Sequence, residues 1–522
     1  MPSWLVLALA LVLDAVLVLA HHAPHPLAAL GNWVDLTYDF GADSVHWPDA
    51  DFQDFRLVSE IKDFLSVGDD QFWTESNTVC SPEHLGTHVD APSHFAKDRW
   101  TAGNIPLSHL VAPGVKLDFS VEANADNNYA VSKERIIEWE KVHGRIPLNA
   151  VVLLYFDWER RWPSVVDMFN TPNPADNTTF KFPGLDPDAA TWLVSDRSIV
   201  AVGTDTPSID RGQETQYRSH IILYDKNVYG LEMVANLSRL PATQFDVFIA
   251  PLKLAEGSGG PVRIAAFVLK EDGADLGYTP QHGATENIVV SYASRNVANW
   301  IDLSHPLSPT IPHWPTSKPL NYTLTRVLNS PYIEYRSFCM GEHLGTHLDA
   351  ARHFSKNGQS INEIPLDHLL GVPGVKFSIK DKAAEDVNSV LTVADVEEWE
   401  KRHGQVPQGA VVLLEFGWAD KWDEGPEVFV GSKVPGDPES FNFPGFDKPV
   451  VDWLFRNRDV VGFGTEGLSL DAGSSTHFPA HRAIASAGLF GIENVAHLDE
   501  IPPSIVISQQ LSRTYARTCL VL

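Results

Sequence analysis

The stretch HLGTHVDAPSHF, residues His84–Phe95, places three histidines and an aspartate within twelve residues. The stretch HLGTHLDAARHF, residues His343–Phe354, repeats this pattern 259 positions later (343 − 84). Imidazole nitrogens and a carboxylate oxygen form a ligand set that is typical of catalytic zinc or manganese sites. A His-rich surface loop would explain one such cluster, but its recurrence at a matching place favours a metal site in each half.

Similarity between the two halves extends far beyond the histidine clusters. Residues 136–162, IIEWEKVHGRIPLNAVVLLYFDWERRW, match residues 396–422, VEEWEKRHGQVPQGAVVLLEFGWADKW. Residues 180–193, FKFPGLDPDAATWL, match residues 441–454, FNFPGFDKPVVDWL, and the offset drifts only from 259 to 261. A unit of about 250 residues is too long for a solenoid repeat, whose units cannot fold alone. The sequence therefore predicts two tandem copies of one whole domain.

The repeat and the composition predict the domain boundaries. We expect a signal peptide at 1–20, copy one at 31–270, a polar linker at 271–297 and copy two at 298–522. The first segment is almost wholly apolar and leads into polar sequence, which favours a cleaved secretory signal and a secreted or secretory-pathway protein. An uncleaved membrane anchor is the alternative, because Asp14 interrupts the apolar run and no Lys or Arg precedes it.

The overall composition indicates a globular protein that does not bind polyanions. A chain of 522 residues is too long to fold around one ordinary hydrophobic core, which indicates more than one domain. The formal net charge of −28 disfavours nucleic acids and anionic membrane surfaces as partners. Three cysteines do not make a disulfide framework. Cys80 and Cys339 occupy matching positions, and we interpret them as small buried side chains, with a Cys80–Cys339 bridge as the alternative.

Each copy is predicted to mix helices and strands. Residues 150–156, AVVLLYF, have the Val and Leu content of a buried strand, and Ser132 is a helix N-cap before a helical pattern. Further strands are expected at 245–252 and 261–268, joined through the flexible GSGG at 257–260. Copy two lacks counterparts of these last two strands. We therefore expect an exposed sheet edge in copy two, which is unstable alone or borrows support from copy one.

Other polar residues recur at matched spacing after the histidine clusters. His220 and Glu232 lie twelve residues apart, as do His481 and Glu493. The segment GTDTPSID at 203–210 matches GTEGLSLD at 464–471. Isolated His and Glu residues are usually structural or solvated, but their repeated spacing makes them candidates to complete the two sites.

Taken in order, these motifs resemble the cyclase family. They are H-x-G-T-H-x-D-x-P-x-H, then G-T-D-x-x-S-x-D, then a His and a Glu twelve residues apart. The best-defined activity of that family is that of the bacterial-type kynurenine formamidases. The resemblance covers both halves and implies an α/β fold of two tandem swivelling β/β/α domains. Because the family domain is usually a homodimer, two copies in one chain would form an intrachain pseudo-dimer, with further oligomers left open.

The resemblance also implies roles for particular residues. His94 and its counterpart His353 would transfer protons, and Trp47 and its counterpart Trp314 would pack on an aromatic substrate. Each copy would hold one or two ions, Zn²⁺ or alternatively Mn²⁺. The implied metal ligands are His84, His88, Asp90, His220 and Glu232 in copy one, and His343, His347, Asp349, His481 and Glu493 in copy two.

Copy two departs from the family pattern at several positions. Ala351 and Arg352 stand where copy one has Pro92 and Ser93, and Glu466 stands where copy one has an aspartate. A cation at Arg352 would oppose metal binding unless its side chain points away. We therefore expect copy one to carry the active site.

The implied function is metal-dependent amide hydrolysis of the arylformamidase type, converting N-formylkynurenine to kynurenine and formate in tryptophan catabolism. One alternative is hydrolysis of another cyclic amide or carbonyl compound. The other is a non-catalytic, secreted metal-binding protein on the same fold. Secretion favours both alternatives, because formylkynurenine hydrolysis is expected inside cells. The partner would be a small aromatic amide, with no nucleic acid and no membrane after signal cleavage.

Overall fold

The computed structural model describes residues 31–48, 54–270, 300–329, 331–505 and 518–520. The predicted signal peptide and the predicted linker lie outside these residues. None of the helices in the described ranges has the length and apolar character that crossing a bilayer requires.

Copy one is built on an eight-stranded sheet that closes on itself. The strands of copy one are β1 (Gly31–Asp35), β2 (Arg56–Val67), β3 (Asp70–Pro82), β4 (His88–Asp90), β5 (Val111–Asp118), β6 (Ala130–Val131), β7 (Val151–Tyr155), β8 (Gly184–Leu185), β9 (Ala201–Thr204), β10 (Tyr229–Glu232), β11 (Phe245–Pro251) and β12 (Gly259–Leu269). The sheet order is β1-β12-β11-β5-β7-β9-β10-β4, and β12 also pairs with β4. This second pairing closes the sheet beside the first histidine cluster.

The helices of copy one pack outside this sheet. They are α1 (Leu107–Leu110), α2 (Ser120–Ala125), α3 (Lys133–His143), α4 (Val165–Met168), α5 (Pro187–Trp192) and α6 (Arg218–Tyr224). The predicted N-cap is confirmed, since the Ser132 hydroxyl accepts the backbone N–H of Arg135 at 3.4 Å. Gly144 ends α3 with φ of 90°, a left-handed value that favours glycine. The predicted strand at 150–156 is β7, whose five residues are all buried.

Copy two repeats the central part of this architecture. Its strands are β13 (Trp300–Asp302), β14 (Asn321–Asn329), β15 (Tyr332–Gly341), β16 (His347–Asp349), β17 (Gly374–Ser378), β18 (Val390–Leu391), β19 (Val411–Glu415), β20 (Gly445–Phe446), β21 (Gly462–Thr465), β22 (Phe490–Glu493), β23 (Ser504–Ile505) and β24 (Thr518–Leu520). Its helices are α7 (Leu366–Leu369), α8 (Lys380–Glu385), α9 (Val393–His403), α10 (Pro426–Phe429), α11 (Lys448–Arg458) and α12 (Pro479–Ser486). The main sheet has six strands in the order β16-β22-β21-β19-β17-β23.

The sheets of the two copies differ where the sequence predicts missing strands. In copy one, β11 and β12 lie between β5 and β1, and β12 closes onto β4. In the described part of copy two, only the two-residue strand β23 pairs at the position of β11, antiparallel to β17. The expectation for the GSGG segment was wrong in one respect. Gly259 and Gly260 belong to β12 and pair with Asp90 and Val89, so they are sheet rather than a flexible joint.

The two copies share a four-stranded sheet, which we call the cross-copy sheet. Its order is β14-β15-β3-β2, so a hairpin from each copy meets the other at β15 and β3. Cys339 lies directly opposite Cys80 in this antiparallel pair, and the two form a disulfide. The interpretation of these cysteines as unlinked buried side chains was therefore wrong. Their register on adjacent strands brings the sulfur atoms within bonding reach.

Copy one also supports copy two at the end of β13 and just after it. The ammonium group of Lys253 donates to Asp302 at 2.7 Å and to the carbonyl oxygen of Ser304 at 2.8 Å. Leu254 forms a bridge with Leu307, and both are buried in the core of copy two. Copy two thus borrows support from the loop that joins β11 and β12.

Candidate active site

The first histidine cluster is held by β4 and the turn before it. His88 and Asp90 are two residues apart on the strand, so their side chains point to the same face. His88 Nε2 lies 3.1 Å from Asp90 Oδ1, and His84 Nδ1 lies 2.6 Å from the same oxygen. Gly86 has φ of 60°, which lets the turn bring His84 back over the strand. All three polar side chains are buried.

Strand β10 and helix α6 add the second pair of predicted ligands. Glu232 lies directly opposite His88 in the β10–β4 pairing, with Glu232 Oε2 3.5 Å from His88 Nε2. His220 Nε2 lies 3.1 Å from Glu232 Oε1 and 3.6 Å from Asp90 Oδ2. Asp90 therefore lies between the two histidines of its own motif and His220, which comes from a distant part of the chain.

The five predicted ligands of copy one form two overlapping groups. In each group one ligand atom per residue lies within 4.8 Å of the others. Asp90 belongs to both groups, which makes it the shared carboxylate. The donor set of imidazole and carboxylate groups suits a divalent ion such as zinc or manganese. The groups are His84, His88 and Asp90, and Asp90, His220 and Glu232.

Electrostatic coupling within the cluster keeps Asp90 ionised. Burial raises the pKa of its carboxyl, but the electrostatic attraction of His84 and the hydrogen bonds from His220 and His84 outweigh burial and hold the pKa well below the usual range. Burial lowers the pKa of His220, but its hydrogen bond to Asp210 outweighs this and raises the pKa well above the usual value. The pKa of Glu232 is raised, first by burial and then by the charge of Asp90.

Asp210 orients helix α6. It is the last residue of the G-T-D-x-x-S-x-D motif and was not among the predicted site residues. Asp210 accepts the backbone N–H groups of Ser219 and His220 at 3.0 and 3.1 Å, and His220 Nδ1 at 2.6 Å. Tyr224 is one helical turn after His220, and its hydroxyl donates to Asp90 Oδ2 at 2.9 Å. Asp210 could have been found from its repetition as Asp471, but Tyr224 has no repeated counterpart.

Ser258 and Glu83 surround the outer side of His84. The Ser258 hydroxyl lies 3.3 Å from His84 Nε2 and donates to Glu83 Oε2 at 2.5 Å. Burial raises the pKa of the Glu83 carboxyl to about 8. A Cβ atom on Gly259 would lie 2.5 Å from His84 Cε1, so glycine lets β12 approach the ring.

His94 follows β4 in a short 3₁₀ helix and stacks on His84, with ring centroids 4.1 Å apart. Its Nδ1 donates to the backbone carbonyl oxygen of Glu334 in copy two at 2.6 Å. Burial and the charge of His84 lower the pKa of His94 well below its usual value. The ring is therefore neutral, and its Nε2 is left as a proton acceptor.

These groups line a cleft that opens to solvent. Trp47 forms one wall and packs edge-on against Phe169 and Phe180 at 5.3 Å. Tyr335 of copy two lies on the cross-copy sheet and forms another wall, 5.0 Å from the ring of His94. A planar aromatic ligand suits these walls.

The second cluster repeats the ligand geometry in copy two. His343 Nδ1 lies 2.6 Å from Asp349 Oδ1, and His347 Nε2 lies 3.2 Å from the same oxygen. His481 Nε2 lies 2.9 Å from Glu493 Oε1 and 3.5 Å from Asp349 Oδ2. The structure thus brings the predicted ligands of each copy together, although the second set is less buried at its histidines.

The surroundings of the second cluster are poorer in hydrogen bonds. Ala485 stands at the place of Tyr224, and the described part of copy two offers no residue at the place of Ser258. Three buried polar atoms of this cluster lack a hydrogen-bond partner within the described ranges. They are His343 Nε2, His347 Nε2 and Asp349 Oδ2. Buried polar atoms that converge without partners fit an ion-binding site.

The predicted proton-transfer and substrate residues of copy two have matching environments. His353 Nδ1 donates to the carbonyl oxygen of Glu75 in copy one at 2.7 Å, which mirrors the contact of His94. Burial lowers the pKa of His353 to about 3. Trp314 packs edge-on against Phe441 and Phe478. Each copy therefore completes the site of the other through the cross-copy sheet.

Two of the substitutions in copy two are less disruptive than the sequence indicated. The side chain of Arg352 points outward, with Nη2 3.4 Å from Glu363 and an exposed fraction of 43%. Asp205 accepts the backbone N–H of Trp158 at 2.7 Å, and Glu466 likewise accepts the backbone N–H of Ala419 at 3.2 Å. Both carboxylates hold the loop after a central strand, so the exchange keeps that role.

The family model described as "Putative cyclase" matches residues 34–211 and 301–472. The chain belongs to the cyclase family. The two matches coincide with the two copies and confirm the predicted family, α/β fold class and tandem duplication. Each match contains one complete histidine cluster, whereas His220, Glu232, His481 and Glu493 lie beyond the matched segments.

Similarity to curated proteins extends over one copy at a time. An isatin hydrolase from Roseibium aggregatum is 33% identical over 221 residues, covering 41% of this chain and 81% of that protein. A kynurenine formamidase from Salinibacter ruber is 26% identical over 205 residues, covering 39% and 84%. Isatin hydrolase A from Labrenzia aggregata, a solved structure, is 32% identical, with a TM-score of 0.40, covering 46% and 94%. The chain is a cyclase-family hydrolase.

Proposed function

We propose that this chain is a metal-dependent hydrolase of small aromatic amides, with an aryl formamide of the N-formylkynurenine type as its substrate. The observation that carries this proposal is the cavity of copy one. There, buried imidazole and carboxylate groups converge beside a neutral histidine, between the aromatic walls Trp47 and Tyr335. The curated relatives described above are a hydrolase and a formamidase by name, which supports the same reaction class.

The metal-binding role falls to the two groups that share Asp90. His84 and His88 would hold one divalent ion with Asp90, and His220 and Glu232 would hold a second with the same carboxylate. A divalent ion bound there polarises a carbonyl group and lowers the pKa of water. The low pKa of the Asp90 carboxyl suits this role, because only the ionised form is a ligand.

His94 is positioned to move the proton. Its Nδ1 is occupied by the Glu334 carbonyl oxygen, so Nε2 is the nitrogen that can serve the reaction. A neutral Nε2 accepts a proton from the attacking water and returns it to the amine that leaves when the C–N bond breaks. Proton transfer of this type contributes on the order of 10²–10⁴-fold to the rate.

A second candidate is hydrolysis of a cyclic aromatic amide. The 33% identity to an isatin hydrolase favours it, and the same cavity and His94 would serve ring opening. The third reading is a secreted scaffold that binds metal without turnover. We further propose that residues 1–20 are a cleaved signal, from their apolar character alone.

One experiment separates these three candidate functions. Metal content and turnover of N-formylkynurenine and of isatin would be measured on the same purified full chain, with and without a chelator. Chelator-sensitive turnover of the formamide supports the first proposal, and turnover confined to isatin supports the second. Bound metal without turnover of either compound would leave only the scaffold.

A further inference from the structure

The hairpin that copy one contributes to the cross-copy sheet is longer than the hairpin from copy two. Strands β2 and β3 have 12 and 13 residues, whereas β14 and β15 have 9 and 10. Three further residues in each strand extend the hairpin by roughly 10 Å. The added length carries Phe72 onto copy two, whereas its counterpart Pro331 lies in the turn before β15.

Phe72 is enclosed by aromatic side chains of copy two. It is 4% exposed, and its ring lies 5.9 Å from the rings of both Phe354 and Phe478. These two residues match Phe95 and Tyr217, which line the cleft of copy one. Phe72 therefore packs, in copy two, on the counterparts of the rings that face the open cleft in copy one.

The direction of the Phe72 side chain also points to the cleft. Residues two apart on a strand share a face, so Phe72, Thr74 and Ser76 lie on the same side of β3. Ser76 matches Tyr335, whose ring forms a wall of the copy-one cleft beside His94. In copy two, the large ring is therefore displaced by four residues along the strand, away from the proton-transferring histidine and onto the outer aromatic pair.

An ion pair fixes the tip of this hairpin on copy two. The Asp70 carboxylate pairs with the guanidinium group of Arg482, and the same group lies 5.3 Å from the centre of the Phe72 ring. The residue that matches Arg482 in copy one is Ile221, which offers no charge for such a pair. The contact that holds Phe72 in place thus depends on a residue that is not repeated.

We propose that Phe72 excludes aromatic ligands from the cleft of copy two. The ring of Phe72 takes the place beside Phe354 and Phe478 that an aromatic substrate would occupy. The chain then has two clusters of metal ligands but one cleft that admits an aryl amide, and Phe72 is the specificity-determining residue. This inference rests on the proposed function, which makes the cleft of copy one the substrate site, and deepens it by assigning aryl-amide binding to that copy alone.

The test measures how fast a thiol in each cleft reacts with N-phenylmaleimide, which carries a single aromatic ring. Ser208 lines the cleft of copy one, and Ser469 matches it in copy two. The two serines are equally buried, with exposed fractions of 5% and 4%. Each is replaced by cysteine in the full chain that also carries Cys519→Ser, so that the introduced thiol is the only free one.

The expected result is a difference in rate that Phe72 alone controls. With Phe72 in place, Ser469→Cys should react roughly ten- to hundredfold more slowly than Ser208→Cys, the factor by which burial of one phenylalanine ring favours the closed hairpin. Adding Phe72→Ala should raise the rate of Ser469→Cys by that factor and leave the rate of Ser208→Cys unchanged. Phe72→Leu, which stays apolar but has no ring, should raise it less.

The matched control is Phe64→Ala, which removes another ring from the same hairpin. Phe64 is 46% exposed and packs on Trp73. This variant should change neither rate. An unchanged rate for Ser208→Cys in the Phe72 variants shows that they are folded.

Labelling needs no turnover, so it separates failure of this inference from failure of the proposed function. Equal rates for the two cysteines with Phe72 in place would overturn the exclusion, as would a rate of Ser469→Cys that Phe72→Ala does not raise. If the chain hydrolyses no aryl amide, the proposed function is wrong, and these rates still decide the role of Phe72.

Discussion

The two copies hold the same ligand residues at nearly the same distances in different surroundings. His84 and His343 each lie 2.6 Å from the carboxylate of their motif, and His220 and His481 each lie within about 3.1 Å of a glutamate. Around these groups, copy one adds a tyrosine hydroxyl, a serine hydroxyl and a closing strand, whereas the described residues of copy two add none of them. The comparison teaches that the repeated elements of each copy set the ligand geometry, while the environment that tunes it comes from residues and strands that are not repeated.

The largest expected effect tests whether the two sites are functionally unequal. His94→Ala should lower turnover on the order of 10²–10⁴-fold while metal content is kept, because the neutral proton acceptor of copy one is lost. His353→Ala is the matched change in copy two and should lower turnover by less than twofold. Steady-state kinetics and metal analysis on both variants measure this. Equal losses in the two variants would show that both copies are active.

The Cys80–Cys339 disulfide joins the two hairpins that contribute to both sites. Replacing Cys80 and Cys339 together by serine should lower the free energy of unfolding by about 2–4 kcal/mol, since the bridge restricts the unfolded chain. Chemical denaturation of the double variant measures the change, with Cys519→Ser as a control that leaves the bridge intact. An unchanged unfolding free energy would mean that strand pairing alone holds the cross-copy sheet together.

The two copies should also differ in metal affinity, by a smaller factor than the loss of turnover expected for His94→Ala. Because Tyr224 and Ser258 support the ligands of copy one only, its ions should bind roughly 10–100-fold more tightly than those of copy two. Competition with a graded chelator, followed by metal analysis, should show two classes of site. Tyr224→Phe should weaken the tighter class. Tyr229→Phe, which removes a buried hydroxyl bound to the His109 carbonyl oxygen, should leave it unchanged.

The smallest expected effect concerns the wall that copy two contributes to copy one. Tyr335→Ser should lower kcat/KM for an aryl amide by roughly three- to tenfold, because one aromatic contact is lost. The matching residue in copy one is Ser76, and Ser76→Ala should change turnover by less than twofold. A loss confined to KM would indicate ring binding, and an unchanged kcat/KM would remove Tyr335 from the substrate wall.

Much of the site could be predicted because the duplication acts as an internal comparison. The twelve-residue spacing of His220 and Glu232 recurs in copy two, and the structure places both beside Asp90. Residues that are not repeated were missed, and Tyr224 and Ser258 are both of this kind. The disulfide was set aside because three cysteines give no framework, and only the register of β15 on β3 shows the pairing.

The sequence by itself determined the duplication, the family, the ligand types and most of the central strands, because these depend on local pattern and spacing. Tertiary structure alone decided which carbonyl oxygen fixes His94 and which copy supplies Tyr335. These contacts join residues that are far apart in sequence; Glu334, for example, lies 240 positions from His94. No local pattern encodes them, since they arise only when strands from the two halves pair across one sheet.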